Sequence, residues 1–262
     1  VHVASRFAVC VLAGAGLLLS LRSVELRGQT EAAPQPTQQP SAPAPHPQPP
    51  RSVIVLDPGH GGTDPGADLG NKAAEKDVTL ALATKLRSAL AAQGFAVLVT
   101  RDSDAVATAD QRAQTANRSR ALACISLHAT HSGSGVHVYT SALQPAPDDA
   151  TYLPARWQTA QDRFVAQSTR LAATLKSAFD SARLGSDVRT ATVPPLDSLT
   201  CPAVAIEFAP IDNLAAAGKD PVDAAYQDSA VKAVTAALAR WRTDNAAQPA
   251  TTAAPDTKGA AQ

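Results

Sequence analysis

His60, Glu75, His128 and Glu207 are the residues whose types could do chemistry together. Two imidazoles and a carboxylate are the donor set of a catalytic zinc centre, which commonly takes three protein ligands and leaves a fourth position for water. Zinc lowers the pKa of that water to about 7, so hydroxide is available at neutral pH. A further carboxylate can accept the water's proton and return it to a leaving amine. Glu207 suits that part, because four small or apolar residues precede it and imply partial burial. The four residues lie far apart in the chain, so any site they form is spatial, and spacing alone is a weak guide.

Each residue also has an ordinary reading. A histidine beside glycines at a strand end, as His60 is, often belongs to a loop, and His128 alone could be the same. Glu75, followed by Lys76 and Asp77, could be an acid favoured by the positive end of a helix dipole. Glu207 fits its ordinary reading least well, since an unpaired carboxylate in an apolar strand is costly.

The elements that must position these groups follow from hydrophobic periodicity. VIVL (53–56) reads as a buried strand stopped by Pro58 and the glycines around His60. Val78, Leu82, Leu86 and Leu90 recur every fourth residue and predict an amphipathic helix that ends at Gly94. FAVLVT (95–100), ACISLHA (123–129), GVHVYTS (135–141) and PAVAIEFA (202–209) read as strands. Asp110 can cap a helix over DQRAQTANRSRAL, residues 162–185 read as one long helix, and 221–242 as a closing helix. Residues 142–160 read as an insertion loop. Alternating strands and helices, with several strands apolar throughout, predict one α/β domain. Its sheet is mixed but mostly parallel, with helices on both faces and the site at the carboxyl ends of the strands.

The remaining composition narrows the field. Net charge is zero over 262 residues, so no nucleic-acid footprint is present. Three cysteines, Cys10, Cys124 and Cys201, are too few for a thiolate zinc site. Cys124 and Cys201 each open a strand that ends in a candidate site residue. They could bridge if those strands are neighbours, or remain two small buried thiols. Residues 1–28 contain the apolar run FAVCVLAGAGLLLSL, which reads as an export signal or an uncleaved membrane anchor. Residues 29–50 are a Pro-rich spacer that cannot bury a core. The folded domain is placed at 51–244 and a disordered tail at 245–262.

Five segments now combine: VIVLDPGHGGTDPGA (53–67), EKDVTLALATKLRSAL (75–90), TRDSD (100–104), RAQTANRSRALACISLHA (112–129) and PAVAIEF (202–208). Together they resemble the zinc-dependent N-acetylmuramoyl-L-alanine amidases of the Amidase_3 family, over nearly all of residues 52–242. The resemblance implies one zinc held by His60, Glu75 and His128, with Glu207 as the catalytic carboxylate. It implies hydrolysis of the amide between N-acetylmuramic acid and L-alanine in bacterial peptidoglycan, by a protein exported to the periplasm or cell envelope. Membrane contact would come only through the N-terminal segment, and an activator protein is a candidate partner. Two departures border the site. Thr130 and His131 follow Ala129 where the family usually has Asn, and FAPIDN follows Glu207 without the usual Gly-Phe pair, although Asn213 stays near the expected Asn. Arg189, His131 and Asn213 are candidate substrate contacts. His137 alternates with Val136 and Val138 and is expected to face solvent or a neighbouring strand. Two other readings stay open: a catalytically degenerate module that binds wall peptides or division partners, and another zinc peptidase acting on peptidoglycan.

Overall fold

The computed structural model describes residues 52–70, 73–146, 157–211 and 219–246. The expectations for residues 1–50, for Asn213, for most of the 142–160 loop and for nearly all of the tail lie outside the described residues. Among those described, no helix is long and apolar enough to cross a membrane.

Among the described residues, six strands form one sheet: β1 (Val53–Pro58), β2 (Ala96–Val99), β3 (Ala123–Ala129), β4 (Val136–Ser141), β5 (Ser186–Ala191) and β6 (Ala203–Phe208). Their order is β2-β1-β3-β6-β4-β5. The pairs β1–β2, β1–β3 and β3–β6 are parallel. β4 runs antiparallel to β6, and β5 lies parallel to β4. The sheet is therefore mixed and mostly parallel, as expected.

The α-helices among the described residues cover it: α1 (Glu75–Ala92), α2 (Ala109–Asn117), α3 (Val165–Ser181) and α4 (Ala224–Ala246). Successive strand residues point to opposite faces, and both faces are buried. Ile54, Leu56, Ile125, Leu127 and Ile206 pack in one core with Leu82, Leu86 and Leu90 of α1, Leu171, Leu175 and Phe179 of α3, and Leu238 of α4. Val55, Cys124 and Ala203 face the other way, against Ala113 and Ala116 of α2 and Leu196 and Leu199. Cys124 and Cys201 are a bonded pair with a Cα–Cα distance of 6.2 Å. The bridge ties the start of β3 to the approach to its neighbour β6.

Several boundaries differ from expectation. Asp110 does not cap α2. Thr108 does, accepting from the Gln111 backbone N–H at 3.3 Å while its own N–H donates to Gln111 Oε1 at 2.9 Å. A hydroxyl two residues earlier can close this reciprocal box, and a carboxylate inside the first turn cannot. The long helix is shorter than 162–185. A 3-10 segment, Trp157–Arg163, precedes α3, which stops before Arg183 and Gly185, both at positive φ. α4 continues to Ala246, two residues into the expected tail. β5 was not anticipated at all, because SDVRTA is a polar, largely exposed edge strand without apolar alternation.

Candidate metal centre and active site

His60 stands just beyond β1, in left-handed backbone at φ 61°. Two buried arginines hold the turn that carries it. Arg101 donates to the carbonyls of Pro58 (3.0 Å), Gly59 (2.8 Å) and Lys76 (2.8 Å). Arg112 donates to the carbonyls of Pro58 and His60 and to Asp57 Oδ1 at 2.7 Å. Asp57 is buried and also receives the hydroxyls of Thr100 and Ser126. Charged groups this deep persist because Arg112 and Asp57 pair at 2.7 Å and Arg101 is satisfied by carbonyl oxygens.

Glu75, the first residue of α1, is 5% exposed and faces both imidazoles. Its Oε2 lies 3.0 Å from His60 Nε2, and its Oε1 lies 2.9 Å from His128 Nδ1. The backbone N–H groups of Ala67 (2.9 Å) and Ala129 (3.1 Å) donate to the same carboxylate. Burial pushes the Glu75 pKa up, but the hydrogen bonds from His128, His60 and Ala67 outweigh it and hold the group well below the usual carboxylate range. The bond to Glu75 raises the His60 pKa; burial opposes this, and the bond to Asp64 adds to it. Asp64 Oδ2 sits 2.8 Å from His60 Nδ1 and so fixes the ring with Nε2 toward Glu75.

One donor atom from each of His60, Glu75 and His128 lies within 4.8 Å of the others. Donors around a tetrahedral metal with bonds of about 2 Å stand a little over about 3 Å apart, and imidazole and carboxylate suit a borderline divalent cation. Two glycines make the room. A side chain on Gly59 would meet the His128 ring at 2.6 Å, and one on Gly66 would meet Glu75 Oε2 and His60 Cδ2 at 2.6 Å. The donor set and its cradle fit a metal ion.

Glu207 lies on β6 directly across from His128 on β3, and across from His137 on β4. It is half-buried, and Tyr139 donates its hydroxyl to Glu207 Oε2 at 3.1 Å. Burial and the Glu207 charge raise the Tyr139 pKa. A recess of about 370 Å³ opens beside Glu207, lined by Thr130, Ser132, Gly133, Ser134, His137 and Arg189. Arg189 thus stands at the recess, held by Asp187 at 2.7 Å. His131 is exposed in the loop after β3 and is not among the lining residues. His137 is buried against the neighbouring strand, its Nδ1 2.6 Å from Asp187 Oδ1. Reading along the chain assigned no role to Asp57, Asp64, Arg101, Arg112, Tyr139 or Asp187. The available signal was an arginine two residues past β2 and another in α2, but their burial is a tertiary property.

Fold and site together define an α/β domain with a His-Glu-His group that fits a metal ion and one further carboxylate, at the carboxyl ends of its parallel strands. The chain belongs to the Amidase_3 family, described as N-acetylmuramoyl-L-alanine amidase, whose pattern matches residues 54–240. It is similar to N-acetylmuramoyl-L-alanine amidase AmiC of Escherichia coli O6:H1, with 37% identity over 115 residues, 42% of this chain and 28% of that protein. It is also similar to N-acetylmuramoyl-L-alanine amidase LytC of Bacillus subtilis, with 29% identity over 183 residues, 70% of this chain and 34% of that one. The chain thus spans about a third or less of the length of these two curated relatives. Its fold matches the CwlD amidase of Clostridioides difficile, solved in complex with the GerS lipoprotein. The TM-score is 0.53 at 19% identity, covering 74% of this chain and 100% of that one.

Proposed function

We propose that this protein is a zinc-dependent amidase that hydrolyses the bond between N-acetylmuramic acid and L-alanine in bacterial peptidoglycan. The observation that carries this reading is the register of His128 with Glu207 on adjacent strands, which sets a second carboxylate beside a metal-type donor triad. His60, Glu75 and His128 would hold the zinc. When bound, zinc polarises the amide carbonyl and lowers the pKa of water to about 7. Glu207 takes the proton of the attacking water and passes it to the departing nitrogen of L-alanine. Tyr139 occupies Oε2 of Glu207 and leaves Oε1 for that exchange. Asp64 keeps His60 oriented, and Arg101 and Arg112 keep its turn from moving.

Family membership supports peptidoglycan as the substrate and export to the cell envelope as the setting. Residues 1–28 would then be the export signal or anchor and 29–50 the tether to the catalytic domain. The GerS lipoprotein complex of a structural relative supports a protein partner, which we take to be an activator. The test is digestion of purified sacculi with product mass analysis. Wild type should release L-alanine-terminated peptides and stop when a chelator is added. Glu207→Gln should keep about one zinc per chain yet lose roughly 10²–10⁴-fold in rate. Cleavage at another bond, or full activity in Glu207→Gln, would overturn the assignment.

A further inference from the structure

His137 is a buried, paired group beside Glu207 that the reaction above does not use. It opposes Glu207 across the antiparallel β4–β6 pair and Asp187 across the parallel β4–β5 pair. Its side chain is 9% exposed. The Asp187 carboxylate, 2.6 Å from Nδ1, takes the Nδ1–H and selects one tautomer, so the neutral ring carries its lone pair on Nε2. Arg189 Nε (2.8 Å) and Nη2 (2.7 Å) fasten that carboxylate from the other side. Nε2 is the atom that a side chain on Gly133 would meet, at 3.5 Å. Gly133 has none, and at φ 83° a side chain there would be strained, so the nitrogen stays open toward the recess. Glu207 lines the same recess.

We propose that His137 is a specificity residue for the peptide part of the substrate: its Nε2 accepts a hydrogen bond from the first backbone N–H beyond the scissile amide. That contact registers the peptide so that the bond to be cut stands against Glu207. The ligand class is a peptide with an unsubstituted N–H at that position. The proposal rests on the amidase reading, and the test separates the two.

The probes are a soluble muramyl tripeptide and its analogue N-methylated at the second residue. Wild type should cut both, with KM about tenfold higher for the N-methyl analogue and kcat nearly unchanged, as for a lost uniform-binding contact. His137→Ala should raise KM about tenfold for the parent tripeptide and lose the discrimination between the two, the signature of a coupled pair. His137→Gln, whose amide oxygen can accept, should recover part of it. Because the analogue is tested on wild type, the result does not depend on any variant folding. If wild type cuts both probes with equal KM, or His137→Ala still discriminates, the proposal is wrong. If kcat falls and KM does not, His137 acts in the chemical step and the proposal is equally wrong. If wild type cuts neither probe but cuts sacculi elsewhere, the amidase reading itself has failed.

Discussion

Replacing Gly66 with Ala should remove the metal before it removes the fold. A Cβ there would lie 2.6 Å from both Glu75 Oε2 and His60 Cδ2, and 2.8 Å from Glu75 Cβ. Ordinary contact is about 3.5 Å, so the cradle must open by roughly 0.9 Å. Glu75 cannot yield cheaply, because the Ala67 and Ala129 N–H groups hold its two oxygens and it is buried. His60 is tied to Asp64 on its far side. Metal–ligand distances tolerate about 0.2 Å, so the displacement is several times too large for three donors to meet on one ion. Losing a group that merely orients a ligand weakens binding about 10–100-fold; moving the donors themselves should exceed about 100-fold. The φ of 66° adds strain of about 1–2 kcal/mol, which lowers Tm by roughly 2–8 °C in a domain of this size. Zinc competition titration against a chromophoric chelator reads the first effect and calorimetry the second. A Gly66→Ala protein that melts earlier yet binds zinc within about threefold of wild type would refute the claim that glycine walls set the donor positions.

Removing the disulfide should lower stability with the site intact. The bridge closes a loop of sequence separation 77, for which the chain-entropy model gives about 4.5 kcal/mol. The double variant Cys124→Ala/Cys201→Ala should therefore unfold at markedly lower urea than the oxidised wild type; coincident midpoints would contradict this. Asp187→Asn should destabilise the fold in a pH-dependent way. Burial raises the Asp187 pKa, but the hydrogen bonds from His137 and Arg189 overcome it and hold the group below its unfolded value of about 3.9. A depressed carboxylate stabilises the fold above that unfolded value and loses the contribution as pH falls through the folded one. The wild-type advantage should thus be present at pH 7 and vanish on acidification below about 4. With the side chain 45% exposed, it amounts to about 1 kcal/mol at most. A constant gap between pH 7 and pH 3 would show that the pairing is not its source.

Local periodicity made much of this fold legible. VIVL, ACISLHA and PAVAIEFA are apolar on both faces and became β1, β3 and β6, while Val78, Leu82, Leu86 and Leu90 became the buried side of α1. The motifs around His60, Glu75, His128 and Glu207, through their resemblance to the family, pointed to the residues on which the proposed chemistry rests, and each lies at or near the end of an element whose pattern is plain. Those facts depend on neighbours a few residues away, which is where side-chain spacing acts. Strand order and register depend on partners far along the chain. They decided that His128 faces Glu207, that Cys124 reaches Cys201, and that Arg112 lies inside against Asp57. β5 shows the limit most clearly. SDVRTA has no apolar alternation, so nothing local marks it as a strand. Only its pairing with β4 brings Asp187 to His137 and Arg189 to Tyr139 beside Glu207. The sequence by itself named the candidate reactive groups and the elements that carry those four. The tertiary structure decided which of them meet, because the free energy of those meetings comes from long-range pairing and burial that no local pattern records.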